Sequence, residues 1–220
     1  MMKRSLLLAC LIGTASAHGA TITLDGSLSD WSAGDVLYSN ADIVKAGNPD
    51  AAYNTVYVTN DATNLYVAVV TDGANGGSVL NTWAHNLFMD TDGNAATGFN
   101  AGWMSHGYDT LVQYAQGGGS YGVFGFAGGA NQAAWSWAFA DVMNYSYSGN
   151  VAEWAIPLAT IGNPSNVVME FNVTGAGASG ETWANSWEGG AKTYAIVVPE
   201  PTTLGAFMSI GMASVLRRRR

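Results

Sequence analysis

The chain has 220 residues, 48% of them hydrophobic and only 11% charged, with sixteen acidic against eight basic side chains. Six of the eight basic residues sit at the two ends, so residues 18–198 set fifteen acids against Lys45 and Lys192, a formal charge of about −13. That balance excludes nucleic acid and anionic membrane surfaces as partners of the body, and so few charges among so many Gly, Ala, Asn and aromatic residues exclude a disordered polyelectrolyte.

Met1 to Ala17 carries Lys3 and Arg4, an apolar run from Leu6 to Ile12 and the small-residue site Ala15-Ser16-Ala17. This is the layout of a secretory signal peptide cleaved after Ala17. Leu7-Leu8-Ala9-Cys10 also has the form of a lipoprotein cleavage box, although few apolar residues precede it. If Cys10 leaves with the signal, the exported chain has neither a disulfide nor a thiol nucleophile.

The body, residues 18–198, is one domain by length and alternates short β-type runs with Gly, Asn and Asp turns. Expected strands are Thr21–Leu24, Asn54–Thr59, Leu65–Thr71, Trp83–Asp90, Tyr108–Tyr114, Gly122–Phe126, Ala134–Ala140, Met143–Ser148, Val151–Leu158, Val167–Val173 and Lys192–Val198. Asn60 to Asn64 makes the second and third a hairpin, and Pro157 marks a strand end or edge. Only Leu158 to Gly162 has the look of a helical turn. About ten strands without alternating helices predict an all-β fold, an antiparallel β-sandwich of jelly-roll type.

Two groups of residues carry possible chemistry. Asp90, Asp92 and Asn94 alternate across a tight turn, an arrangement that can converge on one hard cation such as calcium. Asp109 or Glu153 are possible remote ligands. The same residues can instead close a hairpin by capping backbone amides. It is no EF-hand, because Gly93 comes too early and Ala101 takes the place of the final glutamate.

Trp135, Trp137 and Phe139 alternate with small residues, and Tyr145 and Tyr147 do so on the expected partner strand across Asp141-Val142. A hairpin there would put five rings on one face, either as sandwich core or as a flat row suited to sugar rings. Trp103, Trp183 and Trp187 stand in Gly-, Ser- and Asn-rich loop sequence, where binding explains a tryptophan better than packing does. Gly175 to Gly180 has Gly-x-Gly-x-x-Gly spacing but no βαβ setting, and reads as a loop. The acids fall mostly in turns, and no nucleophile-elbow or zincin motif occurs, so a non-catalytic role is expected. Glycoside hydrolysis, which needs only two carboxylates, ranks third.

The C-terminal end, residues 199–220, runs Pro199-Glu200-Pro201-Thr202-Thr203, then an apolar stretch from Leu204 to Leu216, then Arg217, Arg218, Arg219 and Arg220. Thirteen apolar residues are short of the ~20 of an unassisted span, and the arginines favour a cytoplasmic end. A short tail anchor is one reading. The order of its parts resembles the PEP-CTERM sorting signal of exported bacterial proteins. That resemblance implies an apolar helix inserted transiently in the inner membrane, processing near Pro-Glu-Pro by an exosortase-type membrane protease, and delivery to the cell surface or extracellular matrix.

The body has a resemblance of its own. Ile22-Thr23-Leu24-Asp25-Gly26-Ser27-Leu28-Ser29-Asp30-Trp31 is similar to the opening of family 9 carbohydrate-binding modules and DOMON-like sandwiches. Asp61 to Val67, Phe88 to Gly93 and Glu153 to Leu158 resemble later pieces of the same pattern, in the same order. The resemblance implies a sandwich that binds extracellular polysaccharide; a surface or matrix structural protein of the same fold is the alternative. Physically, the Asp-Gly pairs are turns and Trp31 is a plug for the core.

Overall fold

The computed structural model describes residues 22–39, 53–71, 85–102, 104–114, 121–173, 186–187 and 190–197. The expected signal segment and the tail from residue 198 onward, including the expected apolar helix and Pro199-Glu200-Pro201, lie outside them. Among the described residues no helix is long and apolar enough to cross a membrane. Gly19–Val198 forms one compact unit.

The described strands are β1 (Val36–Tyr38), β2 (Tyr53–Asn60), β3 (Asn64–Thr71), β4 (His85–Asp90), β5 (Thr110–Tyr114), β6 (Tyr121–Phe126), β7 (Trp137–Val142), β8 (Asn144–Ser148), β9 (Val151–Pro157), β10 (Asn166–Val173), β11 (Ser186–Trp187) and β12 (Lys192–Ala195). They form two antiparallel sheets. Sheet A runs β1-β2-β3-β9-β8; sheet B runs β11-β10-β4-β5-β6-β7, with β12 also pairing with β10. The fold is an antiparallel β-sandwich, as the turn spacing predicts.

Period-two alternation decides what each face meets. Leu65, Val67 and Val69 of β3, Ala152, Trp154 and Ile156 of β9, Leu87 and Met89 of β4, and Val167, Met169 and Phe171 of β10 all point between the sheets. Trp154 is wholly buried there, 5.1 Å from the Tyr121 ring. The β2–β3 turn is held by Asp61, whose Oδ1 accepts the Thr63 and Asn64 N–H groups while Oδ2 accepts the Tyr66 hydroxyl. After Pro157 the chain makes the expected tight turn, closed by Ile161 N–H to Leu158 O at 3.2 Å.

Two strand expectations fail. Ile22-Thr23-Leu24 alternates but joins no ladder; Thr23 N–H goes to the Asp30 carboxylate, 2.9 Å away. Residues 22–31 instead form a hook over the outer face of sheet A, where Ile22 and Trp31 pack on Tyr66, Ala68 and Ala155. Trp31 therefore plugs this outer cluster, not the space between the sheets.

Glu153, fully buried, locks the hook. Its carboxylate accepts Asp25 N–H (2.9 Å), Gly26 N–H (2.6 Å) and the Trp31 indole N–H (2.8 Å). Gly26 has φ +77°, and a Cβ there would lie 2.6 Å from Ser148, so the turn needs glycine.

The second failure is the hairpin across Asp141-Val142. Strand β7 pairs with β6 at the edge of sheet B, whereas β8 pairs with β9 at the edge of sheet A. Only Met143 separates them, too little for a hairpin turn, and its buried side chain enters the inter-sheet core. The chain thus turns the corner from one sheet to the other.

Candidate functional site

Strand β4 ends at Asp90, and the chain leaves it through a turn with Gly93 at φ +73°. Gly93 N–H donates to Asp90 Oδ1 (2.8 Å) and Asn94 N–H to Asp92 Oδ1 (2.7 Å), while Thr97 Oγ1 donates to Asp92 Oδ2 (2.9 Å). The chain returns nineteen residues after Asp90 at Asp109, just before β5. Asp109 Oδ2 lies 3.4 Å from both the Thr91 and Asp92 nitrogens. One carboxylate oxygen each from Asp90, Asp92 and Asp109 lies within 4.8 Å of the other two, a cluster that could hold a metal ion.

Burial, then the charges of Asp92 and Asp90, push the Asp109 carboxyl up to about 6, against the pull of the two backbone N–H groups. Hard oxygen donors of this kind suit a hard divalent cation.

Of the residues named from sequence, Asp90 and Asp92 are in the cluster, and the more distant Asp109 joins them. The Asn94 side-chain Oδ1 accepts Ala96 N–H at 3.2 Å, part of the turn itself. Glu153 is not a ligand: it lies on sheet A, committed to the hook.

Loop 91–109 folds back over the outer face of sheet B. Phe99 and Tyr108, joined by a bridge, pack with Met104 on Phe88 and Leu111. Phe99 stacks on Phe88 (5.9 Å, 19°) and presents its edge to Trp135 (5.2 Å, 88°). Trp137 completes the group, 5.5 Å from Phe99 and 5.6 Å from Phe126. Tyr108, wholly buried, donates its hydroxyl to Glu170, itself 4% exposed. Burial raises the Glu170 carboxyl despite the Tyr108 hydroxyl, the charge of His106 and the Ser105 N–H; burial and Glu170 together raise Tyr108.

The five-ring face therefore does not form. Trp135 and Trp137 meet at 74°, and Tyr145 and Tyr147, stacked on each other at 5°, belong to the other sheet. Trp135 precedes β7, so the strand pleat does not hold it parallel to Trp137. The rings do not form a flat row: Tyr145 packs against the inter-sheet core beside Tyr121, whereas Trp135 and Trp137 join a tilted satellite cluster outside it, with Trp135 46% and Phe139 60% exposed. Trp103 and Trp183 lie outside the described residues, and Trp187 is described only as backbone, in β11 opposite Asn172.

The sequence reading passed over Glu170 and Tyr108. A lone Glu inside the apolar run Val167-Val168-Met169-Glu170-Phe171 was the available signal, since such a carboxylate must find a buried donor. Glu153 and Glu170 occupy opposite outer faces of the sandwich, so they do not face each other across one cleft. No protein-family model matches this chain, and no curated protein matches it.

Proposed function

We propose that this is an exported, non-catalytic β-sandwich that binds extracellular polysaccharide and carries a structural calcium ion at Asp90, Asp92 and Asp109. The observation that carries the reading is Trp135, 46% exposed while propped against the Phe99 ring. An indole offers roughly 250 Å². Leaving about half of it in water forgoes about 3 kcal/mol of burial at ~25 cal/mol/Å². A sugar face laid on that ring would recover the term. Calcium is favoured over a bare turn because three carboxylates converge with no lysine or arginine beside them among the described residues; Lys192 donates to Leu37 O instead.

Export, transient anchoring and exosortase-type cleavage near Pro199-Glu200-Pro201 rest on the signal segment, the short apolar stretch and Arg217 to Arg220. Cleavage removes four basic residues and leaves a strongly acidic product at the cell surface or in the matrix.

The test is depletion of the purified protein from solution by insoluble polysaccharides, with calcium and with chelator. Retention on at least one polymer is expected; no retention on any would overturn the reading. A second reading, a matrix structural protein with no ligand site, is favoured by the tilt of the rings, which pack edge to face as in a core.

A further inference from the structure

Among the described strands β12 pairs only with β10, from Lys192 opposite Met169 to Ala195 opposite Asn166. Past that ladder Ile196 N–H still reaches Ser165 O at 3.0 Å, and Tyr194 and Ile196 pack against the inter-sheet core. Four residues paired along one edge hold a chain end weakly, since strand ends open first. Both ends of β12 are also tied across to sheet A. At its start, Lys192 Nζ donates to Leu37 O of β1 (3.0 Å) and lies 4.7 Å from the centre of the Tyr38 ring. Beyond its far end the tie is Asn60, the last residue of β2, only 2% exposed.

The Asn60 carboxamide spends its whole hydrogen-bonding capacity on this tie and the adjoining turn. Oδ1 accepts Val197 N–H and the Tyr194 hydroxyl, both at 2.9 Å. Nδ2 donates to Val197 O and to Asp61 O, both at 2.8 Å. One side chain thus takes both main-chain groups of Val197, as the peptide group of a neighbouring strand would, across 137 residues of sequence. Val197 itself is 38% exposed, so these two bonds hold it more than burial does. Pro199-Glu200-Pro201 begins two residues further along the chain.

We propose that Asn60 is a processing stop: by holding both main-chain groups of Val197, it confines proteolytic removal of the tail to the C-terminal side of that residue. A protease takes several consecutive main-chain groups into its cleft before water is added across one peptide bond, leaving a new carboxylate and a new amine. Susceptibility therefore follows the hydrogen bonding of the backbone concerned. Within β12 the backbone is engaged by β10, and at Val197 by Asn60, so a cut there requires the strand to detach first. Without Asn60 the end of β12 would open, and the cut would move inward towards Tyr194, which packs on the core. The inference rests on the tail being processed, as proposed above, and adds what sets the inner limit of the cut. No partner of the Asn60 carboxamide lies beyond Val197, so the clamp outlasts the cut and keeps the product closed.

Digestion of the purified full chain with a carboxypeptidase that passes proline, followed by intact-mass measurement, tests this. Wild type, Asn60→Ala and Tyr194→Phe are compared, each folded and in urea, with melting temperatures. Trimming of folded wild type should halt at Val197 or Val198, while the unfolded chain is trimmed past it. Asn60→Ala should be trimmed into β12 at least about tenfold faster, because the rate follows the population of the detached strand. Wild type trimmed into β12 as fast as Asn60→Ala would overturn the stop, and so would a halt shared by the folded and unfolded chains. A lower melting temperature in Asn60→Ala with the halt still at Val197 would leave Asn60 a packing residue and overturn it too. Should Asn60→Ala fail to fold, Tyr194→Phe decides, since it removes one of the four bonds: trimming about fivefold faster at a near-native melting temperature is expected, and an unchanged rate would overturn the inference. In the host, processed wild type should end at Val197 or beyond. A host product ending inside β12 would overturn the stop and leave processing standing. Full-length protein alone, with the halt at Val197 intact in the purified chain, would remove the processing reading and leave Asn60 as the limit of the folded end.

Discussion

Removing one carboxylate from the cation cluster by Asp109→Asn should stabilise the protein without calcium and abolish its response to calcium. With oxygens within 4.8 Å of one another, each ionised pair repels by about 3 kcal/mol at an effective dielectric constant near 20. The Asp109 carboxyl rises from 3.8 to about 6, which at 1.36 kcal/mol per unit is about 3 kcal/mol. Asp109 is only partly buried, so solvent screening reduces this to about 1 kcal/mol.

The native carboxyl is the weaker acid, so the protein holds this proton more tightly than the unfolded chain does. Without cation, the contribution of this group to stability is greatest below about pH 4 and is lost as pH rises through about 6. For a domain of this size 1 kcal/mol corresponds to about 2–4 °C. Calcium at a hundred times its dissociation constant adds about 2.7 kcal/mol, a rise of about 5–10 °C. Differential scanning calorimetry in chelator and in excess calcium, at pH 4, 6 and 7.5, reads all of this. Equal wild-type melting temperatures with and without calcium at pH 7.5, together with a lower melting temperature for Asp109→Asn in chelator, would refute the reasoning.

The Glu153 lock gives a stability test independent of any ligand. Glu153→Ala leaves the Asp25, Gly26 and Trp31 N–H groups without their acceptor and should cost about 3–5 kcal/mol in denaturant titration; a loss under 1 kcal/mol would contradict the lock. Gly26→Ala forces a side chain into Ser148 at φ +77° and should cost at least about 2 kcal/mol by the same measurement. Trp154→Ala opens a cavity between the sheets and should cost about 3–5 kcal/mol, whereas Trp135→Ala, which loses only the half of the ring packed on Phe88 and Phe99, should cost about 2–3 kcal/mol. Mass spectrometry of host-cell fractions should find a membrane-free form ending near Pro199; full-length, membrane-bound protein alone would count against the sorting reading.

The sandwich was legible because alternation and turns coincide. Leu65 to Val69 and Ala152 to Ile156 alternate cleanly, and Asp61 and Pro157 end the runs they border. What misled were segments whose alternation serves another contact. Ile22 and Leu24 alternate because they cover Tyr66 and Ala68 from outside, with no strand partner to pair them. Trp137 and Tyr145 look like two halves of a hairpin, but a single buried Met143 carries the chain between sheets, and neighbouring sequence does not reveal a corner. Asp109 could be named as a remote ligand, since it borders a strand expected near Asp90. The Glu153 and Glu170 partnerships span 122 and 62 residues, and contacts of that range follow from topology alone.

Isothermal titration of soluble neutral polysaccharide into wild type and into Trp135→Ala bears most directly on the proposal of a polysaccharide-binding outer face. Saturable heat is expected with wild type, and an affinity loss approaching a hundredfold in Trp135→Ala, the equivalent of about 3 kcal/mol. No heat from wild type with any neutral polymer, or the same affinity in both proteins, would contradict it.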